Sequence, residues 1–310
     1  MLAVSIRCGH GLPRRCRICV LYVIADHAIQ AVDPIHMVRA EGSYFWDGNG
    51  KRYTDLNSQL MCTNIGHQHP KVIKAIQDQA AELCYAGPAM ATNIRAEFGP
   101  LLAKHTPGDL NKFFFTLGGA EANENAIKFA KLHTGRKKLI TRYKAYHGGS
   151  HGAMMLTGDP RRWANEANGM HGVVRVFDPY MYRSLMYREG MTEEEFSDVM
   201  VRQLEETILY ENPNDIAGMF LETVTGTNGL IPPPRGYLAG VRRLLSKYGI
   251  MMICDEVMCG VGRTGEWFAV DHYDVVPDIL TMAKGKEEAC PVCCAWLTGC
   301  LFLCAINAMM

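Results

Sequence analysis

Residues 250–257 read Ile-Met-Met-Ile-Cys-Asp-Glu-Val, and residues 277–285 read Pro-Asp-Ile-Leu-Thr-Met-Ala-Lys-Gly. Each contains a short apolar run, Ile250–Cys254 and Ile279–Met282, followed within two residues by a charged side chain. Neither run alternates apolar with polar residues. Both therefore read as strands buried on two faces, as in parallel sheets covered by helices. The amphipathic stretch Tyr237–Tyr248 precedes the first run and reads as a helix.

The same unit recurs toward the N-terminus. Lys112–Thr116, Lys138–Thr141, Gly172–Phe177 and Ile216–Leu221 read as strands, and Glu121–His133 and Glu193–Leu209 as helices. Apolar strands alternating with amphipathic helices define an α/β domain with a largely parallel sheet. Before it, Val38–Asp47 reads as one strand, Gly48-Asn49-Gly50 as a turn and Lys51–Tyr53 as the return strand. A helix is expected over Lys71–Leu83, after Asn64-Ile-Gly-His-Gln-His-Pro70. No internal repeat or low-complexity linker interrupts the pattern.

In such sheets ligands gather at the carboxyl ends of the strands. After Lys112–Thr116 comes Leu117-Gly-Gly-Ala-Glu-Ala-Asn-Glu124, which suits an anion at a helix N-terminus or a plain strand-to-helix turn. After Lys138–Thr141 comes Tyr146-His-Gly-Gly149, whose aromatic ring stacks on a flat ligand or simply packs. Asp255 ends a buried strand, where a carboxylate needs a charged partner, a metal ion or a helix N-cap. Lys284 stands at the mouth of the sheet, as an amine nucleophile or a surface lysine. Pyridoxal 5′-phosphate (PLP) has a phosphate, a flat ring, a basic ring nitrogen and an aldehyde. The four strand ends match its four parts.

Composition narrows the alternatives. The 310 residues balance 32 Lys plus Arg against 32 Asp plus Glu, which lends no support to nucleic-acid or anionic-membrane binding. Of twelve cysteines, Cys8, Cys16 and Cys19 lie near the start, and Cys290, Cys293, Cys294, Cys300 and Cys304 near the end. The long middle, with only Cys62, Cys84, Cys254 and Cys259, reads as a reduced, cytoplasmic type of protein. Cys16-x-x-Cys19 and Cys290-x-x-Cys293 have zinc half-site spacing, but no His is placed to complete either, so no metal is expected. The N-terminus carries Arg7, Arg14, Arg15 and Arg17 without an acid; mitochondrial targeting is the alternative compartment, although the serines of such segments are missing. The apolar run Ala295–Ala308 is shorter than a membrane span.

From about Ala31 to Gly285 the chain resembles class III (omega-type) aminotransferases. The resemblance is carried by Glu41–Asp47, Gly66-His67 with Pro70, Gly119–Glu124, Tyr146-His-Gly148, Gly229–Pro234 with Gly236-Tyr-Leu238, Asp255-Glu-Val257, Gly260-x-Gly-Arg-Thr-Gly265 and Pro277–Gly285. It implies the type I PLP-transferase fold, PLP as cofactor and a homodimer. It makes Lys284, not Lys286, the Schiff-base lysine. It places Gly119 and Ala120 in the phosphate cup, with Ala120 where the family often has a hydroxyl. Tyr146, with His147 beside it, stacks on the ring; Asp255 pairs with the ring nitrogen, and Val257 covers the other face. Glu222 is implied as an active-site carboxylate, and Ser58, Gln59 and Leu60 as a substrate-pocket segment. The run Leu156–Glu166 resembles the taurine–pyruvate and omega-amino-acid:pyruvate branch, which implies a small-molecule amino donor of that type and a 2-oxo acid acceptor.

The resemblance divides the chain into an atypical segment 1–25, an N-terminal part of a small domain 26–85, a PLP-binding large domain 86–285 and a cysteine-rich tail 286–310. The tail matches none of the family's continuation. The large domain is therefore expected to be incomplete, the C-terminal small domain absent, and the sheet to end at Ile279–Met282 with unpaired edges. The chain as written is expected to be catalytically dead or nearly so, or to be a non-catalytic fragment of the fold. A PLP aminomutase, racemase or decarboxylase is the enzymatic alternative.

Overall fold

The computed structural model describes residues 35–87, 89–163, 166 and 169–284, and the backbone of residues 302–307. The segments 1–25 and 286–301, with most of the cysteines, lie outside them. Apart from Ile35, the described residues belong to one compact unit, His36–Met310.

It opens with a three-stranded antiparallel meander, β1 (Met37–Glu41), β2 (Tyr44–Asp47) and β3 (Arg52–Thr54). The single strand expected over Val38–Asp47 is thus two strands. The chain reverses at Gly42, whose φ of 55° lies in the left-handed region that glycine enters without steric cost. Three helices follow: α1 (Ser58–Met61), α2 (Pro70–Glu82) and α3 (Asn93–Ala103).

The remaining elements in chain order are β4 (Leu110–Thr116), α4 (Gly119–Thr134), β5 (Lys138–Arg142), α5 (His151–Leu156), β6 (Val173–Val176), α6 (Glu193–Tyr210), β7 (Ile216–Glu222), α7 (Tyr237–Tyr248), β8 (Met251–Glu256), β9 (Ile279–Met282) and β10 (Phe302–Asn307). They build a seven-stranded sheet ordered β4-β10-β9-β8-β7-β5-β6. Strands β9, β8, β7, β5 and β6 pair in parallel. Every residue of β7, β8 and β9 is buried, as their unbroken apolar runs require. On one face Ala126, Ile127 and Ala130 of α4 pack against Ala217, Phe220, Met251 and Ile253. On the other, α6 and α7 cover Met219, Leu221, Met252 and Cys254. α6 starts at a reciprocal capping box: Thr192 Oγ1 accepts the Glu195 N–H, and Glu195 Oε2 accepts the Thr192 N–H.

β10 corrects one expectation. The sheet does not stop at β9. Phe302–Asn307 lies antiparallel between β9 and β4, pairing Ala305 with both Leu280 and Phe113. Two strands that run the same way would otherwise face each other with unmet backbone groups, and a reversed strand between them satisfies both edges.

Candidate active site

The register across three strands sets one row of polar residues at the carboxyl end of the sheet. Glu222 of β7 stands opposite Asp255 of β8, and Asp255 opposite Thr281 of β9. Asp255 is 3% exposed. Its Oδ2 accepts from Asn123 Nδ2 at 2.8 Å and pairs with His147 Nδ1 at 2.7 Å; its Oδ1 accepts the Val257 N–H at 3.0 Å. A carboxylate offers about four acceptor sites. Three are filled, so Oδ1 keeps one for a further donor. A protonated ring nitrogen would be a donor of that kind.

The start of α4 packs into the same place. A Cβ built on Gly119 would stand 2.9 and 3.0 Å from the two Cγ atoms of Val257 and 3.6 Å from Ala283 Cβ. Only a glycine lets the helix approach the ends of β8 and β9 this closely. Ala120 meets Gly148: a Cβ on Gly148, whose φ is 135°, would lie 2.5 Å from Ala120 Cβ. The first N–H groups of α4 have no acceptor within the helix, the feature that anion sites at helix N-termini use. Glu124 ties down the loop beyond: its Oε1 accepts from Ser150 Oγ at 2.6 Å and from the Gly152 and Ala153 N–H groups at 2.7 and 3.0 Å.

Tyr146 is held from below and covered from one side. Its N–H donates to Glu222 Oε1 at 3.0 Å, and the Gly226 N–H donates to Glu222 Oε2 at 2.7 Å. Burial pushes the Glu222 pKa up, against the pull of His147; the nearby Asp255 adds to the rise. The Arg161 guanidinium lies 4.0 Å from the centre of the Tyr146 ring, a cation–π arrangement. Arg161 is itself paired with Asp159, which also accepts from Asn228 Nδ2 at 3.1 Å. Burial acts to raise the Asp159 pKa, but the hydrogen bonds from Arg161 and Asn228 bring it below the ordinary value. Farther in, buried Arg142 donates to the Glu222 carbonyl at 2.6 Å.

Lys284 follows Ala283 directly and is half-buried, with φ of 48°. A left-handed backbone at a lysine is uncommon and gathers at functional sites. Gly119, Ala120, Tyr146, His147, Glu222, Asp255 and Val257 thus converge, with Lys284 one residue beyond Ala283. Ser58, Gln59 and Leu60 are placed differently. They form the left-handed turn α1, with φ between 49° and 62° from Ser58 to Met61. Their hydrogen bonds stay local: Gln59 Nε2 donates to Asp55 at 3.0 Å and the Leu60 N–H to Asn57 at 2.7 Å.

Sequence reading missed Asn123, Glu124, Thr281 and Arg161 as site residues. One signal for Asn123 was present. It shares the apolar stripe of α4 with Ala126, Ile127 and Ala130, and a polar residue on such a stripe needs a buried partner. Among the described residues no cluster of ligands suits a metal ion, and no helix is long and apolar enough to cross a membrane.

The Aminotransferase class-III family model matches residues 24–297. The chain belongs to the class III aminotransferases, which use PLP, and its fold is the type I PLP-transferase fold. It is 34% identical over 252 residues to the diaminobutyrate--2-oxoglutarate transaminase of Halomonas elongata, covering 78% of this chain and 54% of that protein. It is 34% identical over 266 residues to the chloroplastic gamma aminobutyrate transaminase 3 of Solanum lycopersicum, covering 83% and 51%. Among solved structures, taurine:2-oxoglutarate aminotransferase from Bifidobacterium kashiwanohense, in complex with PLP and glutamate, superposes with TM-score 0.84 at 40% identity, covering 93% of this chain and 63% of that one. The chain spans about half the length of these two curated relatives.

Proposed function

We propose that this chain carries the cofactor site of a PLP-dependent aminotransferase that moves the amino group of an omega-amino donor, of the taurine or β-alanine class, to a 2-oxo acid such as pyruvate. The observation that carries the reading is Asp255: a buried carboxylate with one acceptor site left, between Gly119 at the start of α4 and the strand that leads to Lys284. The donor class is supported by the run Leu156–Glu166 and by the likeness to a taurine aminotransferase.

When bound, PLP supplies the electron sink that amino-group transfer requires. The protein supplies placement and charge. Gly119, Ala120 and the first turn of α4 present N–H groups to the phosphate. Tyr146 offers its ring face, held by Glu222 beneath its backbone. Asp255 presents Oδ1 to the ring nitrogen and favours its protonated form. His147 holds the other oxygen of that carboxylate. Lys284 Nζ is the amine nucleophile, and Val257 closes the face opposite Tyr146. Ser58–Leu60 are assigned to the donor pocket. The compartment is the cytoplasm, in keeping with the thiols of Cys84, Cys254 and Cys259. A second copy of the chain would cover the apolar side chains that Leu83, Tyr85 and Met90 expose.

The test has two parts. Purified chain mixed with PLP should absorb at about 410–430 nm, through the conjugation of an attached cofactor. Borohydride should then fix the label on Lys284; a label on another lysine, with Lys284 unmodified, refutes the assignment. Alanine formation from taurine or β-alanine with pyruvate, run against 2-oxoglutarate as acceptor, reads the substrates. The same assay measures how much turnover this chain sustains.

A further inference from the structure

We propose that Asn123, anchored by Thr281, is the positioning residue that selects which oxygen of Asp255 is offered to the cofactor. The proposal rests on the reading of Asp255 as partner of the ring nitrogen.

Asn123 and Thr281 are fully buried, and Asp255 and His147 are 3% and 2% exposed. Thr281 Oγ1 donates to Asn123 Oδ1 at 2.8 Å. Asn123 Nδ2 then donates twice, to the His147 carbonyl at 2.7 Å and to Asp255 Oδ2 at 2.8 Å. The direction of this amide is not arbitrary. Both groups facing Nδ2 can only accept, so the flipped amide would set oxygen against oxygen twice. The hydroxyl of Thr281 supplies the donor that the correct direction requires at the other end.

The consequence falls on Asp255. Asn123 Nδ2 and His147 Nδ1 converge on Oδ2 and saturate it. Oδ1 is left with the Val257 N–H and one free site. One side chain thereby joins α4, the 146–149 loop, β8 and β9. It sets the rotation of the carboxylate and, because His147 Nδ1 must donate to Oδ2, the tautomer of the imidazole.

The experiment compares Thr281→Val, which keeps the shape and removes the hydroxyl, with Thr281→Ser, which keeps the hydroxyl. Asn123→Ala removes the whole link, and Thr281→Ala stands in where Val does not fold. Two quantities are read: the rate of PLP release from the loaded chain, and the ring ¹⁵N shifts of His147 in the PLP-free chain. Loss of one buried hydrogen bond to a charged network should speed release about tenfold in Thr281→Val and Asn123→Ala, with Thr281→Ser within about twofold of the parent. The ¹⁵N shifts should report the Nδ1–H tautomer in the parent and Thr281→Ser, and a mixture in the other variants. Unchanged His147 shifts in Thr281→Val, or a Thr281→Ser variant as impaired as Thr281→Val, would overturn the proposal even if stability had fallen. A parent chain that binds no PLP would overturn the functional reading instead, and the His147 shifts alone would then decide the role of Asn123.

Discussion

Glu222 Oε1 accepts the backbone N–H of Tyr146 at 3.0 Å, while Oε2 accepts that of Gly226 at 2.7 Å. The carboxylate at the end of β7 is thus spent on two main-chain donors. It fixes the backbone beneath the aromatic ring from a strand 76 residues away in sequence.

Replacing Glu222 by Gln tests this directly. An amide can accept at only one of the two positions, and its NH₂ would face an N–H that is already a donor. Unfolding in denaturant should show a loss of about 1–3 kcal/mol, the usual cost of a buried unsatisfied donor. PLP should also be held less tightly, since Tyr146 is no longer fixed. Parent-like stability and affinity would show that these two hydrogen bonds contribute nothing.

Gly148→Ala should be worse than its single added carbon suggests. The backbone there is at φ 135°, and the new Cβ would lie 2.5 Å from Ala120 Cβ and 2.7 Å from Ala120 Cα. A side chain in that conformation costs on the order of 1–3 kcal/mol before the clash is counted. The neighbouring Gly149 has open space at its Cβ and serves as the control. Gly149→Ala should retain PLP and Gly148→Ala should lose it, as measured by equilibrium dialysis.

Glu256 gives the chain a pH dependence of known sign. It faces away from the site, accepting from Thr223 Oγ1, the Ala269 N–H and the Val270 N–H. Burial raises its pKa to about 7 from 4.5, against those hydrogen bonds. Between the two values the folded chain holds a proton that the unfolded chain has released, so stability falls as pH rises through this window. Its contribution is complete below pH 4.5 and gone above about 7. Glu256→Gln should flatten that part of the stability–pH curve. Its amide would also face the Ala269 N–H, lowering stability at every pH. A slope unchanged in the variant would assign the effect to other groups.

Ala305→Pro probes β10. Ala305 pairs with Leu280 on one side and Phe113 on the other, so a missing N–H breaks a ladder whichever way it points. Proline inside a central strand removes a ladder hydrogen bond, which should cost about 1–3 kcal/mol for the acceptor left unsatisfied, and should expose the edges of β4 and β9 to aggregation. Light scattering during mild heating should distinguish it from Ala305→Ser. Equal behaviour of the two would argue that β10 does not hold the sheet together.

What the sequence determined by itself was local. Runs such as Ile279–Met282 are apolar on both faces, so burial between helix layers follows from composition alone. Asp255, Lys284, Gly119 and Tyr146 were legible because each follows such a run, and strand ends are where ligands collect. Tertiary structure decided the rest. The hand of α1 comes from local hydrogen bonds at Asp55 and Asn57 that no apolar period records. Strand β10 exists because a slot between β4 and β9 accepts a reversed strand, and both walls lie far from it in sequence. Asn123 reaches Asp255 across 132 residues and Thr281 across 158. Hydrophobic period shows which side of an element is buried. The partner of a buried polar atom depends on register and helix placement, which are set only when the layers pack together.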